Sequence, residues 1–409
     1  MKSKKQILLI AVNVFLLALI GVCLLGIRND SSLLLNQQAA KVWAGESQER
    51  FAQVSCFFPV DKLTSFENVY AFRKTIDLKL NDVGLEKKAE GSYWADCYSA
   101  TDALMVAGDR NSAEATVVGV GGDFFLFHPY VLESGSYIYD DDIMKDRVVL
   151  DYELAWKLFG GTSLEGMTVQ IGGKPYYVAG VIRRETDKFT QKAYSGEPLM
   201  FMAYSTLAAI NENTGISTYE IAMPDPISNF AKTFVSDAFK MAGGVAVENS
   251  ARYNFSSILK IFTHFGERSI ISEGVSYPYW ENAARISEAY VARLYVYIAL
   301  LSLFPFICLI ILSVRLIKRL IAWLKRKKFE AVDAWEDRYA RQATWKARRA
   351  QKRIDRNLKR HEKTKKQTLK AIKPLASVPP EDEEKAVALD VENIVREIME
   401  EISGASPKQ

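Results

Sequence analysis

The chain has 409 residues, 49% of them hydrophobic and 25% charged, with a formal net charge of +4, long enough for two or three domains. Three histidines and four cysteines, with no Cys-x-x-Cys pair, argue against an all-protein zinc site. The net charge conceals a partition that excludes one uniform soluble domain: residues 29–290 hold 34 acidic against 23 basic side chains (−11), residues 315–373 hold 6 against 22 (+16), and residues 374–409 hold 9 against 3 (−6).

Ile7 to Ile27 is an apolar run of 21 residues whose one strongly polar member is Asn13. As a helix it would be about 31 Å long, matching a hydrocarbon core of about 30 Å. A cleaved signal peptide would have a shorter apolar core and a small-residue cleavage site. A lipoprotein signal would not place Val22 before Cys23 or continue the apolar run to Ile27. The run therefore reads as an uncleaved anchor, with residues 1–6 as a cytoplasmic N-terminus.

Beyond it, Gln53 to Phe58 reads as a strand and Ser65 to Leu80 as a helix, with Phe66, Val69, Tyr70, Ile76 and Leu80 near helical spacing. Tyr93 to Ala100 and Glu114 to Val120 are strand-like, separated by the turn-rich Gly108-Asp109-Arg110-Asn111. A segment from about Asp123 to Ala209 reads as an insertion. In it, Arg147 to Leu150 forms a strand, Tyr152 to Phe159 a helix stopped by Gly160-Gly161, and Met167 to Ile182 a hairpin turning at Gly172-Gly173. Tyr219 to Met223 is then a strand, Ile227 to Met241 a helix, and Val245 to Glu248 a last strand. Strand, helix, strand, strand, insertion, strand, helix, strand is close to the order of a split βαβ, ferredoxin-like lobe.

Leu294 to Val314 is a second uncharged run of 21 residues, with Pro305 inside it as an expected kink. Lys2, Lys4 and Lys5 precede the first run, and Arg315, Lys318, Arg319, Lys325, Arg326, Lys327 and Lys328 follow the second. By the positive-inside rule both ends are cytoplasmic and residues 28–293 extracytoplasmic, in the cell membrane. The basic stretch 315–373 contains neither proline nor glycine and reads as a helix. Its first turns are candidates for contact with anionic lipid, ahead of a partner-helix (coiled-coil) role. Nucleic acid is not an expected partner, because the segment has no recognisable nucleic-acid-binding fold. Residues 374–409 form an acidic linker and a short amphipathic helix in which Leu389, Ile394, Ile398 and Ile402 lie near one face. That face suits partner docking or folding back onto the basic helix. The expected fold class is thus α/β: two transmembrane helices flanking an α+β outer domain, a ferredoxin-like lobe with an inserted mostly-β lobe, and a helical cytoplasmic tail.

Gly119-Val120 with Asp123-Phe124-Phe125, Leu132-Glu133-Ser134-Gly135, Val148-Val149-Leu150, Leu154-Ala155 and Leu158-Phe159-Gly160-Gly161 follow one another in order. Gly166, Ile171-Gly172-Gly173 and Tyr177-Val178-Ala179-Gly180-Val181 complete the series. Over these roughly 70 residues the chain resembles the extracytoplasmic core domain of MacB/FtsX-type ABC permeases. The resemblance implies structural rather than catalytic roles for these pieces, and a first span just before the outer domain. Family permeases normally add three further membrane helices after that domain, where one is read here. Their Gly-Arg and Gly-Lys pairs read Gly135-Ser136 and Gly166-Met167.

No phosphate-binding GxxxxGK[ST] loop, Gly-x-Ser-x-Gly elbow or His-Glu-x-x-His pair occurs, so neither an enzyme nor a cofactor or metal site is expected. Gly119 to Asp123 reads as a turn leaving a strand, and Asp140-Asp141-Asp142 as a solvated turn without the spacing of a calcium loop. Cys56 and Cys97 suit either a disulfide, which that compartment permits, or two buried thiols. Cys23 and Cys308 lie in the apolar runs as small apolar side chains. The expected function is a non-ATPase membrane subunit of an ABC-type assembly, with membrane lipids, an ABC ATPase and/or permease subunit, and an extracytoplasmic protein or ligand as partners. The alternative is a membrane-anchored scaffold or sensor using the same outer fold without transport.

Overall fold

Both long apolar runs fold as helices whose side chains find little protein cover in the computed structural model, which describes residues 2–85, 91–194, 196–263, 271–272, 274–371, 393 and 395–396. Helix α1 (Lys2–Asp30) leaves Ile7, Leu8, Phe15, Val22 and Leu25 exposed, and Leu300, Leu303, Phe306 and Leu309 are exposed in the second run. Both helices are long and apolar enough to cross a membrane. A helix apolar on its solvent-exposed sides is stable where that solvent is lipid. The two lie against each other: Asn13 Nδ2 donates to Leu9 O at 2.8 Å and reaches Cys308 Sγ at 3.6 Å.

Between them the chain builds one large sheet. After a 3-10 turn at Leu35–Gln37 come α2 (Ala39–Ala44), β1 (Phe51–Phe57), α3 (Phe66–Asp82), β2 (Ala95–Ala107), β3 (Ser112–Gly122) and α4 (Phe124–Phe127). Next are β4 (Val131–Gly135), β5 (Arg147–Asp151), α5 (Tyr152–Phe159), β6 (Thr168–Ile171), β7 (Lys174–Arg183), α6 (Thr190–Ala193), β8 (Leu199–Ala203) and α7 (Tyr204–Ile210). The series ends with β9 (Thr218–Pro224), α8 (Phe230–Phe239), β10 (Val245–Glu248), α9 (Phe255–Thr263), the short pair β11 (Ile271–Ser272) and β12 (Val275–Ser276), and α10 (Tyr279–Ala371).

The strand order is β10-β1-β9-β2-β3-β8-β5-β7-β4, with β6 paired to both β2 and β7. β1 is antiparallel to β10 and β9, and β9 to β2, so β9 separates β1 from β2. The inserted segment is not a separate sheet. Strands β2 and β3 run well past the predicted Ala100 and start before the predicted Glu114, forming a long hairpin whose far side pairs with β8 and β6. Three large apolar cores cover most of the sheet among the described residues. α3 and α8 enclose Val54, Cys56, Phe72, Ile76, Tyr219 and Phe239. α5 and α7 enclose Val148, Leu150, Leu154, Leu158, Met200 and Leu207. A third gathers Cys97, Val118, Phe124, Phe201 and Trp280. Burial on both faces explains near-continuous apolar strands such as Leu-Met-Phe-Met in β8.

Helix α5 has a clear geometry at both ends. Asp151 caps its start by accepting from Leu154 N at 2.6 Å, and the predicted stop Gly160 ends it in the left-handed region at φ +76°. The motif glycines Gly135 and Gly180 are register partners in β4 and β7. A Cβ on Gly135, at φ +74°, would stand 2.1 Å from Ala179 O, so a side chain there would displace the strand.

By contacts the chain divides into residues 1–310 and 311–409. In the second unit the described residues through 371 continue α10, almost all exposed, with Lys327 Nζ on Glu330 at 2.7 Å and Trp335 stacked on Tyr339.

Candidate functional site: a buried polar seam from sheet to helix

Side chains alternate between the faces of a strand, and in β1 this sends Val54 and Cys56 toward α3 and α8 while Gln53 and Ser55 face the other way. Register then sets Ser55 of β1 and Cys97 of β2 on either side of Glu220 of β9, one row across three strands. Glu220 is buried. Its Oε1 accepts from Ser55 Oγ at 2.6 Å, its Oε2 lies 2.6 Å from His128 Nε2, and Cys97 Sγ stands 4.0 Å away. The end of α4 delivers His128, wholly buried between the rings of Phe124 and Trp280 at centroid distances of 4.5 and 4.6 Å. Among the described residues its Nδ1 has no hydrogen-bond partner. Burial, followed by the Glu220 and Asp96 carboxylates, pushes the Cys97 thiol well above its ordinary value, so it is held protonated.

The donor atoms of Cys97, His128 and Glu220 lie within 4.8 Å of one another, a composition that could ligate a soft cation. The geometry fits hydrogen bonding better. Nε2 and Oε2 are 2.6 Å apart, whereas two ligands of one tetrahedral zinc stand about 3.3 Å apart, and the second carboxylate oxygen already serves Ser55.

From Glu220 the polar contacts continue out of the sheet. Asn249 Nδ2 donates to Ser55 Oγ at 2.7 Å, and Arg252 Nη2 donates to Asn249 Oδ1 at 2.8 Å. Arg252, its side chain 2% exposed, also reaches Glu281 at 2.6 and 3.2 Å and Glu288 at 3.4 Å, both on α10. Arg285 Nε meets Glu281 at 3.0 Å. The end of α1 joins nearby: Ser287 Oγ donates to Asp30 O at 3.2 Å, and Lys188 Nζ meets Asp30 Oδ1 at 2.5 Å. Tyr130 and Tyr279 share a hydrogen bond at 2.7 Å. One connected set of buried polar groups therefore ties the middle of the sheet to the first turns of the helix that carries the second apolar run. Buried donors and acceptors that satisfy one another hold a single geometry, since each broken link leaves a desolvated group behind.

The residues singled out by sequence meet different fates. Cys56 and Cys97 are free, buried thiols, and the disulfide alternative is corrected. Strand β9 lies between their strands, putting their backbones about 10 Å apart, and they belong to cores on opposite faces, so no bridge can close. Gly119 to Gly122 are still strand residues paired with β2, and the expected turn out of the strand comes only at Asp123. Asp140 to Asp142 form an exposed turn in which Asp142 Oδ2 accepts from Tyr139 N at 2.9 Å. Arg315, Lys318, Arg319, Lys325, Arg326, Lys327 and Lys328 are exposed on α10. Leu389, Ile394, Ile398 and Ile402 lie outside the described residues. The seam itself was not read from sequence: hydrogen-bonded partners in it, such as Ser55 and Asn249, lie 194 residues apart, and the available signal was the presence of Ser55 and Glu220 in otherwise largely apolar strands.

Comparison with known proteins agrees with the motif series. Macrolide export ATP-binding/permease protein MacB of Chromobacterium violaceum is 37% identical over 98 residues, 23% of this chain and 14% of that relative. The chain therefore spans only a small part of the curated relative it matches. The extracellular domain of the noncanonic ABC-type transporter YknZ from Gram-positive bacteria overlays with a TM-score of 0.34 at 17% identity, covering 47% of this chain and 92% of that one. The periplasmic region of MacB from Actinobacillus actinomycetemcomitans gives 0.35 at 15%, covering 53% and 94%. The MacB-like periplasmic core domain matches residues 7–231, more than half of the sequence, and the chain belongs to that family.

Proposed function

We propose that this chain is a non-ATPase membrane subunit of an ABC-type assembly. In this reading residues 28–293 stand outside the cell membrane, 7–27 and 294–314 span it, and both termini are cytoplasmic. Residues 315–373 form a basic helix whose first turns meet anionic lipid, and 374–409 carry a docking or fold-back helix. The order β10-β1-β9-β2 around α3 and α8 supports a ferredoxin-like lobe, to which the segment from about 123 to 209 is added.

The observation that carries the proposal is the attachment of the family's outer domain to α10. Arg252, Glu281 and Glu288 are all buried, and separating such a group costs several kcal/mol. A displacement of α10 would therefore move the sheet with it rather than bend the joint. The outer domain would respond as a body, presenting or withdrawing a surface for an extracytoplasmic protein or ligand. An ATPase partner supplies the energy, since the sequence has no phosphate-binding loop.

Affinity purification of the full-length protein in mild detergent, followed by mass spectrometry, tests this. Co-recovery of an ABC-type ATPase in stable proportion is the expected result. Recovery alone, or only with proteins unrelated to ATP hydrolysis, would replace the transporter reading with the scaffold or sensor.

A further inference from the structure

Helix α9 presents three different sides. Ile258 and Ile261 are buried with Val291 and Ala292 of α10, with Ile27 of α1 and Tyr295 of α10 packed alongside. At about 100° per residue Phe255, Leu259 and Phe262 fall on a second stripe about 60° wide. They are 63%, 54% and 49% exposed. Ser256, Ser257, Lys260 and Thr263 take the remaining side. Among the described residues, none of the three large cores on the sheet includes this second apolar stripe.

Its level is fixed by its neighbours. Ile27 is the last residue of the first apolar run, and Tyr295 follows the first residue of the second. Moving along α10 toward its span, Tyr295 comes about one turn after Val291 and Ala292. Tyr295 is also the ring that Phe255 meets edge-on, with centroids 5.5 Å apart. Through Phe255 on Tyr295 the exposed stripe therefore lies on the side of α9 nearer the spans, whose exposed apolar residues begin within a turn of these contacts, at Leu24 and Leu25 on α1 and Val296 on α10.

We infer that α9 lies in the outer interface of the bilayer, with Phe255, Leu259 and Phe262 among the upper acyl chains and Ser256 and Lys260 toward water. An amphipathic helix with aromatic and leucine residues on one side and lysine and hydroxyls on the other binds such an interface through its apolar area. Joined to both spans through Ile27, Val291 and Ala292, it would hold the outer domain at a fixed height and tilt. The inference rests on reading α1 and α10 as membrane spans.

The test places a single environment-sensitive fluorophore on the full-length protein in phosphatidylcholine–phosphatidylglycerol liposomes, in a background carrying Cys23→Ala and Cys308→Ala. Labels are introduced through Leu259→Cys, Phe262→Cys, Lys260→Cys and, within the second span, Leu300→Cys. Lipids spin-labelled near the headgroup should quench the labels at 259 and 262 more than lipids spin-labelled near the chain end. The label at 260 should instead lose fluorescence to aqueous iodide, and the label at 300 should be quenched by lipid. If 300 is quenched by lipid while 259 and 262 are open to iodide, the helix stands in water and the inference is wrong. If 259 and 262 are shielded from both quenchers, a protein surface covers the stripe, and the inference fails equally. If 300 is also untouched by lipid, the spans themselves are misread and both readings fall.

Discussion

Arg252→Met removes the guanidinium that links Asn249, Glu281 and Glu288 while keeping most of the side chain's length. In the native protein Arg252 is 3% exposed and Glu281 2%, so solvent cannot replace the lost contacts. Breaking a buried pair by removing one partner costs about 3–5 kcal/mol. Arg285 stays beside Glu281 at 3.0 Å, which places the expected loss at the lower end, about 3 kcal/mol. At about 1.4 kcal/mol per factor of ten, opening of the domain should become about a hundred times more frequent. Cys56 and Cys97 are both 0% exposed and serve as native reporters. In full-length protein held in mild detergent, each should react with a maleimide only through opening, at a rate set by the opening equilibrium when reclosing is fast. Peptide mapping should show labelling at both positions accelerated about a hundredfold in the variant. Adding Glu281→Gln should cost less than the sum of the two single changes, because the carboxylate left by Arg252→Met is then neutralised. A rise of less than about fivefold, equivalent to about 1 kcal/mol, would show that the seam does not hold the sheet to α10.

Three further outcomes follow from the same geometry. Alkylation of the unfolded, non-reduced protein should add a label to both Cys56 and Cys97, and a cross-linked peptide containing the two would contradict the strand order. Burial pushes the Cys56 thiol from 9.0 up to about 12, so the folded state keeps its proton where the unfolded state has lost it. Stability from this group is complete below about pH 9 and is lost as pH rises toward about 12, at most about 4 kcal/mol in all. The alkaline stability slope of Cys56→Ala should accordingly be shallower than that of the native protein, and equal slopes would exclude the effect. In intact cells a membrane-impermeant thiol reagent should reach Ile143→Cys in the outer domain but not Thr344→Cys on α10, and the reverse pattern would invert the orientation drawn from Lys2, Lys4, Lys5 and Arg315 to Lys328.

What the sequence determined was local. The 21-residue run from Ile7 to Ile27 has to be a helix in an apolar setting because only that satisfies its backbone there. Asp151 and Gly160 bracket α5 through cap chemistry confined to one turn at each end, and Gly172-Gly173 turns β6 into β7 with Ile171 opposite Lys174. The motif series was equally readable, because its spacing reflects successive short elements. Tertiary structure decided what those elements meet. The β2–β3 hairpin merges the insertion into one sheet, and helix α10 begins at Tyr279, well before its apolar run, because Trp280, Ala283 and Ala284 are buried by the outer domain rather than by lipid. Cys56 and Cys97 are 41 positions apart and both on core strands. Yet the intervening β9 and a change of face separate them, while Glu220 and His128, 92 positions apart, come within 2.6 Å. Periodicity records which side of a strand or helix is apolar, because that depends on neighbours a few residues away. Register, strand order and the pairing of buried charges depend on segments brought together only when the whole sheet closes, and no local pattern carries them.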